Sequence, residues 1–181
     1  MAFLNKFGFK VALAAFAVLA PVAVLGTGPE VGKEAPPLSL SKILQSPAGA
    51  SATWEALRGK VVVIDFWATW CGPCRKSIPH WNELVDTFKE KPVQFLAITD
   101  ENEQVVKLFL KGTPIRSWVG LEGVGQSVRD RYGIEGIPTA VIVNQTGMVV
   151  AVKVRPPVPN HEPQTQSRLS TWQSNYTEPP Q

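Results

Sequence analysis

Cysteine and histidine are scarce in this chain of 181 residues, with two of each. A small exported domain stapled by disulfides carries more cysteines, spread along its length. Here the pair is Cys71 and Cys74, and a bridge between such near neighbours closes a short loop that constrains the unfolded chain little. Stability is therefore a poor reason for the pair, and chemistry a better one. A structural zinc site needs four ligands, and only His80 and His161 remain to complete one. Residue 75 is Arg, which excludes the Cys-x-x-Cys-His haem attachment pattern. No cofactor and no metal is expected.

Charge of one sign is also lacking. Lys and Arg number 18 against 15 Asp and Glu, a formal net charge of +3. Lys6 and Lys10 fall in an N-terminal leader, so the body is closer still to neutral. That balance leaves no electrostatic footprint for nucleic acid or an anionic membrane surface. Gly120, Gly123 and Gly125 do not form a dinucleotide loop, because the strand-Gly-x-Gly-x-x-Gly-helix context is absent.

Long apolar runs are limited to one, Val11 to Leu25, preceded by the basic Asn5–Lys10 segment and followed by Gly26, Thr27 and Gly28. Basic start, apolar middle and small-residue exit read residues 1–26 as a secretory signal peptide, with Val24-Leu25-Gly26 acceptable to a signal peptidase. The alternative is an uncleaved signal anchor, although fifteen helical residues reach only about 22 Å against a hydrocarbon core of ~30 Å. Either way, residues 27–154 form a domain on the far side of the membrane. From Arg155 the chain turns polar and carries six prolines, so residues 155–181 read as a disordered tail.

Val61-Val62-Val63-Ile64-Asp65-Phe66-Trp67 is apolar without alternation, as a central strand buried on both faces reads. Ile78, Trp81, Leu84, Val85 and Phe88 then recur at helical spacing, predicting a helix from Pro73 to Lys89 kinked at Pro79. Residues 93–99 form a second strand. Asp100 and Glu103 have capping-box spacing ahead of a helix through Val105 to Leu110. Short elements are expected at Ser117–Val119 and Gln126–Tyr132. Thr139–Val143 and Met148–Val154 pair across the Asn144-Gln145-Thr146-Gly147 turn. A βαβ crossover followed by a hairpin gives an α/β fold, a mixed sheet flanked by helices.

A Cys-x-x-Cys pair at a strand-to-helix junction sets its first sulfur against unsatisfied N–H groups and the positive end of the helix dipole. Both favour thiolate, the attacking species, so Cys71 is the expected nucleophile and Cys74, one turn on, the resolving thiol. Pro73 suits the first helical turn and stiffens the loop, while Gly72 lets another backbone come close.

The stretch VVVIDFWATWCGPC, residues 61–74, resembles the thioredoxin superfamily. With the lead-in Val31-Gly32-Lys33-Glu34-Ala35-Pro36, the turn Leu57-Arg58-Gly59-Lys60 and the leader, it is similar to the exported TlpA/ResA-like branch. That branch contains membrane-associated thiol-disulfide reductases of cytochrome c maturation. The resemblance covers residues 31–154 and implies a thioredoxin-like fold. It implies that Pro138, in Gly136-Ile137-Pro138-Thr139, is cis and lies against the cysteines, with the Ile137 backbone pairing with an extended substrate. It implies that Asp65 is the buried carboxylate that helps deprotonate the resolving thiol, a role suited to a carboxyl whose pKa is raised by apolar surroundings. Trp70 matches the aromatic beside the nucleophile; Asp100 and Glu101 fall where an acidic residue often stands near the site, but a simple cap is the preferred reading of them.

Two departures stand out. Strand 93–99 lacks the lysine that often faces the buried aspartate. The family's last amphipathic helix is missing, which leaves one sheet face short of cover or marks a truncated or frameshifted chain. The function expected is disulfide exchange with protein substrates, as a reductase fed by a membrane electron donor. The alternatives are an oxidant or isomerase, and a copper-binding or copper-delivery module of the same fold.

Overall fold

A computed structural model of the chain describes residues 29–123, 125 and 127–154. The expected leader, the polar tail and the question of a terminal helix lie outside these residues. Ten elements follow one another: β1 (Leu40–Leu44), α1 (Trp54–Leu57), β2 (Val61–Phe66), α2 (Gly72–Thr87), β3 (Val93–Thr99), α3 (Glu103–Gly112), β4 (Trp118–Glu122), α4 (Val128–Arg131), β5 (Thr139–Val143) and β6 (Val149–Val154). The six strands make one sheet in the order β1-β4-β3-β2-β5-β6. Strands β2, β3 and β4 are parallel, and β1, β5 and β6 each join antiparallel to a neighbour.

The apolar run of β2, broken only by Asp65, has the expected cause. Val62, Ile64 and Phe66 enter one core layer, and Val63 and Trp67 enter the other. The first layer lies against α1, α4 and the lead-in, through Leu57, Val128, Tyr132, Ala35 and Leu38. The second lies against α2 and α3, through Ile78, Trp81, Phe88 and Val106. Successive crossovers that step the same way along a sheet with one hand put their helices on one face. The two long helices are therefore side by side above Val63, Asp65 and Trp67.

Thr53 caps α1 by accepting the Ala56 N–H, and Gly59 at φ 81° turns the chain out of it into β2. Pro79 sits inside α2 without ending it. Two expectations need correction, and one strand stands where none is expected: β1 pairs with β4 from Leu40↔Glu122 to Leu44↔Val119. The cap of α3 is Asn102, whose side chain accepts the Val105 N–H at 3.0 Å, and not Asp100. Strand β4 runs to Glu122, and α4 opens at Val128 on Ser127, later than the Gln126 start expected.

Candidate active site

Five residues connect β2 to α2, and they carry the chemistry. Trp67 N–H still bonds to Ile98 O across the parallel pair, and Cys71 N–H bonds back to Ala68 O at 3.1 Å, closing a turn. Cys71 is the N-cap of α2, in extended conformation, and its Sγ accepts the Cys74 N–H at 3.2 Å. The sulfur thus takes the place that a serine or aspartate oxygen takes in an ordinary cap. Pro73 falls in the first turn, where a missing N–H costs nothing.

Cys71 and Cys74 are joined as a disulfide, S–S 2.02 Å. Both are covered, at 4% and 2% exposure, so the bonded pair shows almost none of the contrast expected between an open nucleophile and a shielded partner. Around it the surface is open. Trp70 is 69% exposed, and a Cβ added at Gly72 would meet nothing within 4 Å. The Ile137–Pro138 bond is cis, and the Ile137 carbonyl oxygen lies 3.9 Å from Cys71 Sγ. The loop before β5 therefore abuts the sulfur of the first cysteine.

Asp65 is 6% exposed, with Ala97 and Ala140 beside it in the register of the sheet. It shares a small cavity with Cys74, Trp67, Ser77, Ile78, Trp81, Ala97 and Ile115. Asp65 thus lines the same cavity as the second cysteine, on the α2 side of the sheet. Ser77 Oγ donates to Cys74 O at 2.8 Å, and Trp81 Nε1 donates to Ser117 Oγ at 2.9 Å. Arg75 holds its guanidinium over Phe109, 5.8 Å from the ring centre, and Phe109 in turn packs on Trp67.

Of the two acidic residues at the end of β3, Glu101 is the one brought to the turn before Cys71. Glu101 accepts the Thr69 N–H with one carboxylate oxygen and the Thr69 hydroxyl with the other, each at 2.6 Å. Asp100, its neighbour, is turned out toward Arg129 at 4.0 Å. The register of the sheet brings Glu101 and Thr69 together. Phe66 pairs with Ile98, so residues three beyond each, Thr69 and Glu101, leave the sheet side by side. Among the described residues no three His, Cys, Asp or Glu side chains gather as a metal site, and no helix is long and apolar enough to cross a membrane.

Comparison with known proteins agrees with this geometry. Residues 30–169 match the Redoxin family. Thiol-disulfide oxidoreductase ResA of Bacillus thuringiensis subsp. konkukian (strain 97-27) is 34% identical over 122 residues, 67% of this chain and 68% of the relative. ResA of Bacillus subtilis (strain 168) is 32% identical over 61% of this chain and 62% of its own. Among solved structures, a putative thiol:disulfide interchange protein DsbE from Chlorobium tepidum superposes with a TM-score of 0.62 at 30% identity, covering 71% of this chain and 89% of that one. StoA from Bacillus subtilis gives 0.52 at 26% identity, over 64% and 83%. The chain belongs to the redoxin family and is a thiol-disulfide oxidoreductase of thioredoxin-like fold.

Proposed function

We propose that this oxidoreductase is exported and reduces disulfides in protein substrates, with Cys71 attacking, Cys74 resolving and Asp65 moving the proton between steps. The observation that carries the reading is the seat of Cys71 Sγ, which caps α2 on the Cys74 N–H and lies against the Ile137 carbonyl. A sulfur capping a helix is held toward thiolate, and the exposed edge around it leaves room for a second chain.

In the dithiol form the Cys71 thiolate attacks one sulfur of the client disulfide. A Cys71–client bond forms, the client S–S bond breaks, and the first client sulfur leaves as thiolate and takes up a proton. Asp65, on the cavity shared with Cys74, accepts the Cys74 proton. The Cys74 thiolate then attacks Cys71 Sγ, restoring the internal disulfide and releasing the second client sulfur. The client gains two electrons and the pair loses two. Ile137 offers backbone to an extended client segment, and Trp70, Gly72, Pro73 and Pro138 border the approach. Return to the dithiol requires electrons from a partner, which for an exported protein means a donor in the membrane. The basic-then-apolar leader supports export, and the lead-in motif supports a place in cytochrome c maturation.

Insulin reduction by the purified chain, together with a Cys74→Ala variant that accumulates mixed disulfides, tests the reading. Turnover by the parent and clients trapped on Cys71 are expected. An inert parent with no trapped client refutes it.

A further inference from the structure

We propose that Glu101 is a positioning residue for the thiol chemistry, clamping the turn that presents Cys71 through two bonds to Thr69. This rests on Cys71 being the attacking sulfur. Between the end of β2 and the start of α2 the Thr69 N–H lies outside both the sheet ladder and the helix. Glu101 Oε2 takes that N–H at 2.6 Å, and Oε1 takes the hydroxyl of the same residue at 2.6 Å. Thr99 Oγ1 adds a bond to Oε2 at 3.3 Å and accepts the Glu101 N–H at 3.3 Å, so the carboxylate is itself held from the end of β3.

Two contacts to one residue restrain its rotation as well as its place. Thr69 is the second residue of the turn closed by Cys71 N–H to Ala68 O, so its orientation sets the direction in which Cys71 leaves the turn. The Cys71 cap on the Cys74 N–H depends on that direction. The usual tasks of an acidic residue at this junction are taken by others. Asn102 caps α3, and Glu103 pairs with Lys42 and Lys107. Bonds to a charged acceptor are roughly twice as strong as neutral ones, so losing one is felt at the sulfur it aims.

The test is the rate at which iodoacetamide alkylates Cys71 in the reduced full-length chain at neutral pH, with the modified residue identified by peptide mass. Glu101→Gln, Thr69→Val, Thr69→Ser, the Gln/Val double variant and Glu103→Gln are compared, each with its thermal midpoint. Removing a nearby negative charge would by itself speed thiolate chemistry. Slowing by Glu101→Gln therefore isolates the clamp. Glu101→Gln and Thr69→Val are each expected to slow Cys71 about tenfold, equivalent to about 1.4 kcal/mol. The double variant should be no slower than the slower single, since both changes weaken one linkage. Thr69→Ser and Glu103→Gln should react like the parent. A lowered midpoint with an unchanged rate overturns the proposal, as do multiplicative losses in the double variant or a Thr69→Ser as slow as Thr69→Val. If Glu101→Gln does not fold, the Val and Ser variants of Thr69 decide alone. Alkylation of Cys74 ahead of Cys71 in the parent would instead overturn the assignment of the nucleophile, an outcome separate from any effect of Glu101.

Discussion

At the scale of the residue, the two cysteines are not served by the same neighbours. Cys71 has the Cys74 N–H and the Ile137 carbonyl on its side, whereas Cys74 shares its cavity with Asp65. The proposed proton acceptor is thus placed for the second step and not the first. Asp65→Asn preserves volume and removes the acceptor, so the two steps should separate. Mixed with a disulfide that releases a coloured thiol at each step, the variant should give a first release close to the parent's. The second should be slower by roughly 100-fold, the low end of what a positioned general base contributes. Equal slowing of both releases would sink the assignment of Asp65 to Cys74.

At the scale of the element, one carbonyl of the lead-in gathers side chains from two helices. Pro36 O accepts Trp54 Nε1 from α1 at 2.8 Å and the Tyr132 hydroxyl from the end of α4 at 2.8 Å. Burial pushes the Tyr132 hydroxyl pKa far up from its ordinary value of 10.0. The folded state then keeps a proton that the unfolded chain gives up, so this contribution is complete below the ordinary tyrosine pKa and declines as pH rises beyond it. Tyr132→Phe should cost roughly 1 kcal/mol at neutral pH, a modest loss because Pro36 O keeps its bond to Trp54. In urea unfolding of the disulfide form, its stability should fall less steeply than the parent's above the tyrosine range; parallel profiles would contradict this. The same elements show what a sequence can and cannot display. Strands β2, β3 and β5 were legible because burial on both faces makes them largely apolar, without alternation. Strand β1 was not, since only Leu44 is buried among its five residues and an irregularity between Leu40 and Lys42 breaks its alternation at the sheet edge. Asp100 and Glu103 had the spacing of a box, but Asn102 is the residue whose side chain reaches the Val105 N–H. The cysteines could be found because their chemistry is local. The bond from Glu101 to Thr69 could not, because the two are 32 positions apart and become neighbours only through the β2–β3 register.

At the scale of the whole molecule, the direction of electron flow is a comparison of two folded states. A pair is reducing when the fold favours its disulfide, and oxidising when the fold favours its dithiol by stabilising the thiolate. Among the described residues, Cys71 Sγ receives the Cys74 N–H, while Arg75, the nearest basic residue in the chain, is held over Phe109. That is modest support for a thiolate. The Gly-Pro dipeptide is the one found in reducing thioredoxins. The Cys71–Cys74 couple should therefore have a reduction potential nearer the value of about −270 mV of thioredoxin than the about −120 mV of the oxidant DsbA. Because about 30 mV corresponds to about 1.4 kcal/mol for two electrons, that interval is several kcal/mol of relative stability. The thermodynamic cycle then requires the disulfide form to resist urea better than the dithiol form. Equilibration in thiol redox buffers gives the potential, and paired unfolding curves of the two forms give the stability difference independently. A potential near that of DsbA, with the dithiol as the more stable fold, would reverse the proposed direction while leaving the exchange chemistry of the pair intact.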